Sequence, residues 1–183
     1  MCSGTSMDSA NLTQLLNSDQ SHLSGQQQLD IEAVYQRLKE IARTQRFKIK
    51  GTGINTTALV NEAWLKSQKQ AKTFNDRNHF FAYSALAMRH ILLNEAKKNR
   101  LITYVDDSEP LEQPVFKEST YLLDLEMQLQ KLKAFDESLE QVFTYKFFGD
   151  MDFADIAAVM EVSERTVYRN WKKARAMLAV AMQ

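Results

Sequence analysis

Both prolines of the chain, Pro110 and Pro114, fall in one short acidic stretch, DDSEPLEQP, residues 106–114. Proline breaks helix interiors and is excluded from the middle of sheets, so long helices can form on either side of this stretch but not through it. Only five glycines accompany the two prolines, and strand-like alternation of apolar and polar residues is scarce. Apolar residues recur at i, i+3 and i+4 instead. That pattern predicts an all-α fold, with two small helical domains joined by an acidic flexible linker.

The segments follow from the same spacing. Residues 1–28 are rich in Ser, Gln and Asn and predict a flexible tail. Asp30 is placed to cap a helix running to about residue 46, with Ile31, Val34, Leu38, Ile41 and Ala42 as its apolar stripe. The segment GTGINTTALVNEAWLKSQ, residues 51–68, holds a second helix with Leu59, Val60, Ala63 and Trp64 at helical spacing. KTFNDRN reads as a loop, and residues 79–98 make the most apolar helix of the chain. Residues 101–119 form the linker. Four helices then follow, over about residues 120–133, 136–147, 151–160 and 164–181. The domains are therefore residues 29–100 and 120–183, three helices before the linker and four after it.

The zero net charge hides a segregation. Residues 31–100 carry fourteen Lys and Arg against five Asp and Glu, a surplus of +9, while residues 101–130 carry one against seven, a deficit of −6. A basic first domain followed by an acidic connector suggests a polyanion-binding module beside a second one. The single cysteine, Cys2, offers no disulfide, and His22, His79 and His90 are too scattered for a metal cluster. No nucleophile–base pair, phosphate-binding loop, cofactor motif, signal peptide or membrane-length apolar run is visible. A non-enzyme of the reducing cytoplasm, without metal or cofactor and without membrane attachment, is expected.

The stretch FADIAAVMEVSERTVYRNWKKARAML, residues 153–178, has helix-turn-helix spacing. Small Ala157 stands where two helices cross, a short turn follows, Ser163 caps the second helix, and Val167, Trp171 and Ala174 face inward. The outward face carries Ser163, Glu164, Arg165, Thr166, Tyr168, Arg169, Lys172 and Lys173, a set able to contact base edges and phosphates. Glu161 occupies a turn position where glycine is usual, at a cost if its φ is positive. The alternative is a helical hairpin with a solvated basic face.

The runs TALVNEAWLK, FNDRNHFFAYSALAMRHILLNEAKKNR and LEQVFTYKFFGDMDFADIAAVMEVSERTVYRNWKKARAML, in this order and at this separation, resemble bacterial RNA polymerase sigma factors of the extracytoplasmic-function (ECF) type. The similarity covers residues 29–178. The resemblance implies that the first domain binds the clamp helices of the polymerase β′ subunit and opens the −10 promoter element. The second would read the −35 element and contact the β flap, and the acidic linker would thread the basic channel near the active site. For −10 DNA the candidates are Phe74, Asn75, Arg77, Asn78, His79 and Phe80, a mixture of aromatics to stack on unpaired bases and polar groups to read their edges. Arg89, His90, Asn94, Lys97 and Lys98 follow on the adjacent helix face. Phe80, Phe81 and Tyr83 could equally be core, and for Phe81 packing is the expectation; Trp64 and Trp171 are expected core anchors.

One departure from the family is visible. Many members carry acidic residues just before the LV-x-E of the second helix, where they meet clamp arginines. Here those positions are Asn55, Thr56, Thr57 and Ala58, none charged, and only Glu62 remains, one turn on. A phosphate on Thr57, or failing that Thr56, would restore about −1.5 to −2 charges at a helix N-terminus that favours anions. The expected partner is a Ser/Thr kinase, as in a subgroup of the family that lacks the acidic cluster. Thr56 or Asn55 could instead merely cap the helix. Two other functions would use the same residues: a helix-turn-helix regulator acting on duplex DNA without polymerase, which predicts a dimer and a palindromic site, or a protein-interaction adaptor. The sigma reading expects a monomer when free.

Overall fold

The computed structural model describes residues 25–49, 53–69, 74, 76–105 and 114–183. The described residues form seven α-helices: α1 Gly25–Lys48, α2 Thr56–Gln68, α3 Arg77–Val105, α4 Pro114–Phe135, α5 Glu137–Phe147, α6 Phe153–Met160 and α7 Glu164–Ala181. No strand occurs among them, in line with the helical periodicity. The tail up to residue 24, Asn75 and residues 106–113 lie outside the described residues.

Three boundaries differ from expectation. Helix α1 begins at Gly25, so Asp30 lies inside it, buried, instead of capping it. Glutamine is a good helix former and the weak former Gly25 stands at the very first position, so the helix extends through a stretch that reads as tail. Helix α3 continues through 101–105, and α4 already starts at Pro114, leaving far less than residues 101–119 for a linker. Proline is well tolerated in the first turn of a helix, where the missing N–H would have no intrahelical acceptor.

The packing follows the apolar stripes. α1 buries Val34, Leu38, Ile41 and Ala42, and α2 buries Leu59, Val60 and Ala63. Both lie in one cluster with the Ala85, Met88, Leu92 and Ala96 face of α3. An aromatic group closes this half: Phe80 meets Trp64, Phe74 and Phe81 edge-on at centroid distances of 6.0, 5.2 and 5.5 Å. In the second half, α5 and α7 share Phe143 and Trp171, 5.5 Å apart, and Phe143 stacks on Phe147 at 5.1 Å.

The two halves are not separate bodies in this structure. α3 packs on α4, α5 and α6, and one cluster of buried residues runs from Val34 to Leu178. Gly149 sits directly against Ala85 of α3: a Cβ added to Gly149 would lie 2.8 Å from the Ala85 Cβ and 2.6 Å from the Tyr145 carbonyl oxygen.

Candidate polymerase and promoter interface

The first surface is the N-terminal turn of α2. Asn55 is its N-cap, in extended conformation, and its side-chain oxygen accepts the Ala58 N–H at 2.8 Å. Thr56 is half-buried, Ala58 packs against the core, and Thr57 is exposed. No acidic residue stands in the first turn. Glu62 is exposed. The Lys98 ammonium is raised above its ordinary value first by its hydrogen bond to Glu95, then by the charges of Glu95 and Glu62, so α2 lies beside the cationic end of α3. Gly53, at φ 75°, has the Asn99 side chain next to it.

The second surface belongs to α3. Asp76, absent from the sequence candidates, caps this helix: its carboxylate accepts the His79 N–H at 2.8 Å. Burial pushes the Asp76 carboxyl up, but hydrogen bonds from the His79 backbone and ring, the His79 charge and the Asn78 N–H outweigh it and hold the group below its ordinary value. His79 Nδ1 lies 3.0 Å from the same carboxylate, an ion pair when the imidazole is charged. An Asp three residues before His79, in a loop-like run, is the N-cap signal that would have found it. Arg77 is exposed with its guanidinium 5.4 Å from the Phe81 ring centroid.

The structure divides the remaining α3 candidates. His90, Asn94, Lys97 and Lys98 are exposed. The His90 imidazole is held below its usual value, first by partial burial and then by Arg89 and Lys66, with Glu126 and Glu140 opposing. Phe74 and Phe80 are core residues, 6% and 0% exposed, fixed by the aromatic group described above. Stacking on an unpaired base is not open to them while that group holds. Phe81 is buried, as packing at helical spacing implied.

Arg89 is also buried, 3% exposed. Its Nε donates to Glu126 of α4 at 2.8 Å. Its Nη1 donates to Glu140 of α5 and, at 2.8 Å, to the Thr144 hydroxyl, which in turn donates to Glu140 at 2.9 Å. Its guanidinium also lies 5.9 Å from the Phe148 ring centroid. Arg89 therefore faces the other half of the chain and not solvent.

Further polar bonds cross between the halves. Arg37 Nη2 donates to the Asp150 carbonyl at 3.1 Å, and Gln45 Nε2 and Lys48 Nζ both donate to the Phe147 carbonyl, at 2.5 and 3.2 Å. A cleft of about 210 Å³ opens along this line, with Arg37, Arg77, Asn78 and Asp155 among its walls. Burial first, then the neighbouring Asp152, raises the Asp155 carboxyl; Arg77, a hydrogen bond with Asn78, and Arg37 work against them.

The third surface is the α6–α7 pair. Glu161 takes the left-handed conformation, φ 54°, ψ 40°. Its N–H bonds the Ala158 carbonyl and the Val162 N–H bonds the Ala157 carbonyl; the two bonds make a Schellman ending built on glutamate instead of glycine. Ser163 caps α7 by accepting the Thr166 N–H at 3.2 Å. Val167 and Ala174 are fully buried and Trp171 packs on the core. Glu164, Arg165, Tyr168, Arg169, Lys172 and Lys173 are exposed and Thr166 is half-buried. The Tyr168 ring packs edge-on against Phe153 at 5.5 Å, and Lys172 lies over Tyr168.

Among the described residues no group of three metal-ligating side chains occurs, and no helix is long and apolar enough to cross a membrane. The family model for ECF sigma factors matches residues 9–183, nearly the whole chain and both halves together. No curated protein and no solved structure matches the chain significantly.

Proposed function

The chain belongs to the ECF sigma factor family, and from that premise we propose how its two halves divide the work. As a member of the family it is an alternative sigma factor, a non-enzymatic factor of the cytoplasm that binds RNA polymerase core and promoter DNA and directs transcription initiation. In our reading, the half made of α1–α3 binds the β′ clamp helices through the first turn of α2 and opens the −10 element. Arg77, Asn78, His79, His90, Asn94, Lys97 and Lys98 are its DNA face, with Asn75 beside them in sequence. Phe74 and Phe80 shape that face from beneath. The α6–α7 pair acts as a helix-turn-helix on the −35 element, and the second half contacts the β flap.

Core binding is switched by phosphorylation of Thr57. The supporting observation is the cap of α2. Asn55 serves as N-cap, so Thr57 falls on the second helical position, exposed, in a turn with no carboxylate. The first N–H groups of a helix have no intrahelical acceptor and favour an anion there, and a phosphate can accept paired bonds from clamp arginines. The partner implied is a Ser/Thr kinase. Transcription with core polymerase in vitro tests the sigma reading: core plus this chain should give one defined start site that core alone does not. A pull-down tests the switch. If unmodified protein binds core as tightly as protein phosphorylated on Thr57, the switch is wrong.

A further inference from the structure

If the first half opens promoter DNA as proposed above, on which this inference rests, it releases unpaired bases, and such bases stack on aromatic rings. The rings expected to receive them, Phe74 and Phe80, lie in the core. Among the described side chains of α1–α3, one aromatic ring is left exposed instead: Phe47, 80% exposed in the last turn of α1.

Its surroundings are cationic. Lys39, Arg43 and Phe47 follow at intervals of four and Arg46 stands three beyond Arg43, which puts all four on one side of the helix. The opposite side, with Leu38, Ile41, Ala42 and Gln45, is buried. Residues 37–48 hold five Lys and Arg against one carboxylate, Glu40, and Arg37 engages that carboxylate at 3.0 Å. Among the described residues no carboxylate pairs with Lys39, Arg43 or Arg46. Arg43 and Arg46 are exposed, and Lys39 is half-buried with its ammonium 4.9 Å from the Tyr35 ring centroid.

We propose that this stripe of α1 is a second track for promoter DNA, separate from the α3 face. Phe47 stacks on an unpaired base while Lys39, Arg43 and Arg46 hold the phosphates of that single strand. The stripe borders the α3 face, because Arg37 and Ile41 of α1 share a cleft with Arg77 and Asn78. Phe47 stands six residues beyond Ile41, about 9 Å of helix, which is the span of roughly three stacked nucleotides at about 3.4 Å each. Charge and shape select the partner. An apolar protein surface would cover Phe47 and strip water from cations it could not pair. A duplex would neutralise the cations but offer the ring no open base face. A single strand satisfies both.

The test has two arms, both with the full chain. In the first, fluorescence anisotropy follows binding to a labelled oligo(dT) strand and to the matching duplex. Phe47→Ala should weaken strand binding by about fivefold or more, the lower end of what one stacked base is worth, and leave duplex binding unchanged. Phe47→Trp should retain strand affinity. Arg43→Ala with Arg46→Ala should lower the salt slope on the strand by roughly 1.4. In the second arm, core polymerase and a promoter fragment form the open complex, and Phe47→Ala should shorten its lifetime several-fold under heparin challenge. Strand affinity or open-complex lifetime that is the same in wild type and Phe47→Ala overturns the track. So does a Phe47→Ala chain that loses affinity for core but not for the strand, which would make Phe47 a protein contact. Run-off transcription separates the two ideas. Normal initiation by a chain whose strand binding ignores Phe47 removes the track alone. Phe47-dependent strand binding by a chain that starts no transcription with core removes the sigma reading and leaves the single-strand surface.

Discussion

The Asn55 side-chain oxygen accepts the Ala58 N–H at 2.8 Å, and this one bond decides which residues of the α2 entrance are left for other work. The cap belongs to Asn55, so neither threonine is needed for it. Asn55→Ala should cost about 1 kcal/mol of stability, read from urea unfolding, and Thr57→Ala far less. Substitutions two positions apart with different costs identify the structural residue and leave the other for regulation.

Phosphorylated Thr57 should raise affinity for core polymerase by about tenfold or more, equivalent to about 1.4 kcal/mol, measured by pull-down or fluorescence anisotropy. Thr57→Glu should recover only part of this, since one carboxylate supplies less charge than the roughly −1.5 to −2 of a phosphate. Thr57→Ala should abolish the response to kinase while leaving the melting temperature unchanged. A full response in Thr57→Ala would transfer the role to Thr56.

Glu161 adopts φ 54° in the turn between α6 and α7. The left-handed conformation costs a non-glycine residue about 1–2 kcal/mol, and part of that is returned by the extra unfolded-state freedom of glycine. Glu161→Gly should therefore stabilise the chain by about 0.5–1 kcal/mol, visible as a higher denaturant midpoint at unchanged slope. A lower midpoint would mean that the Glu161 side chain contributes an interaction of its own.

Two carboxylates should give opposite pH dependences. Asp76 is held below its ordinary value of 3.8, so its contribution to stability is present above that value and is lost as pH falls through the folded pKa. Asp155 is raised above the same value, so its contribution is present at low pH and is lost as pH rises through the folded pKa. At neutral pH Asp155→Asn should melt higher than wild type, and Asp76→Ala lower. Below the ordinary carboxylate range the Asp155→Asn difference should vanish. Thermal melts across this range check both signs.

On α7, residues near the helix start contact base edges in a helix-turn-helix, and those farther along meet the backbone. Arg165→Ala should therefore relax sequence preference in the −35 element at one position, by about 1–3 kcal/mol. Lys172→Ala should weaken binding evenly across sequences and lower the salt slope by about one. Competition with mutated promoters across a salt series distinguishes the two.

Much of this molecule was legible in its spacing. Leu59, Val60 and Ala63 predicted the buried side of α2, and Val167 with Ala174 that of α7, because each stripe needs only neighbours along one helix. The joint between the halves was not legible. Arg89 bonds Glu126 and Glu140 over 37 and 51 residues, and no local period encodes such a pairing. A trace of it was present nevertheless. Ala85, Arg89, Leu92 and Ala96 follow at intervals of four, three and four, which puts the arginine on the apolar face of α3. Phe74 stands in a loop-like run whose aromatics suggest base stacking, but its burial is set by the rings of Phe80 and Tyr83, 5.2 and 5.6 Å away, which no local pattern encodes. Proline-marked boundaries overstated the linker, since Pro114 opens a helix as readily as it ends one.

The close approach of Gly149 to Ala85 carries a consequence for descent. A Cβ at position 149 would lie 2.6 Å from the Tyr145 carbonyl oxygen as well as 2.8 Å from the Ala85 Cβ, so even glycine at 85 would make no room for it. Among homologous chains position 149 should therefore stay glycine whatever residue stands at 85, and a larger residue at 85 should be accompanied by a shift of α3 away from the turn between α5 and α6.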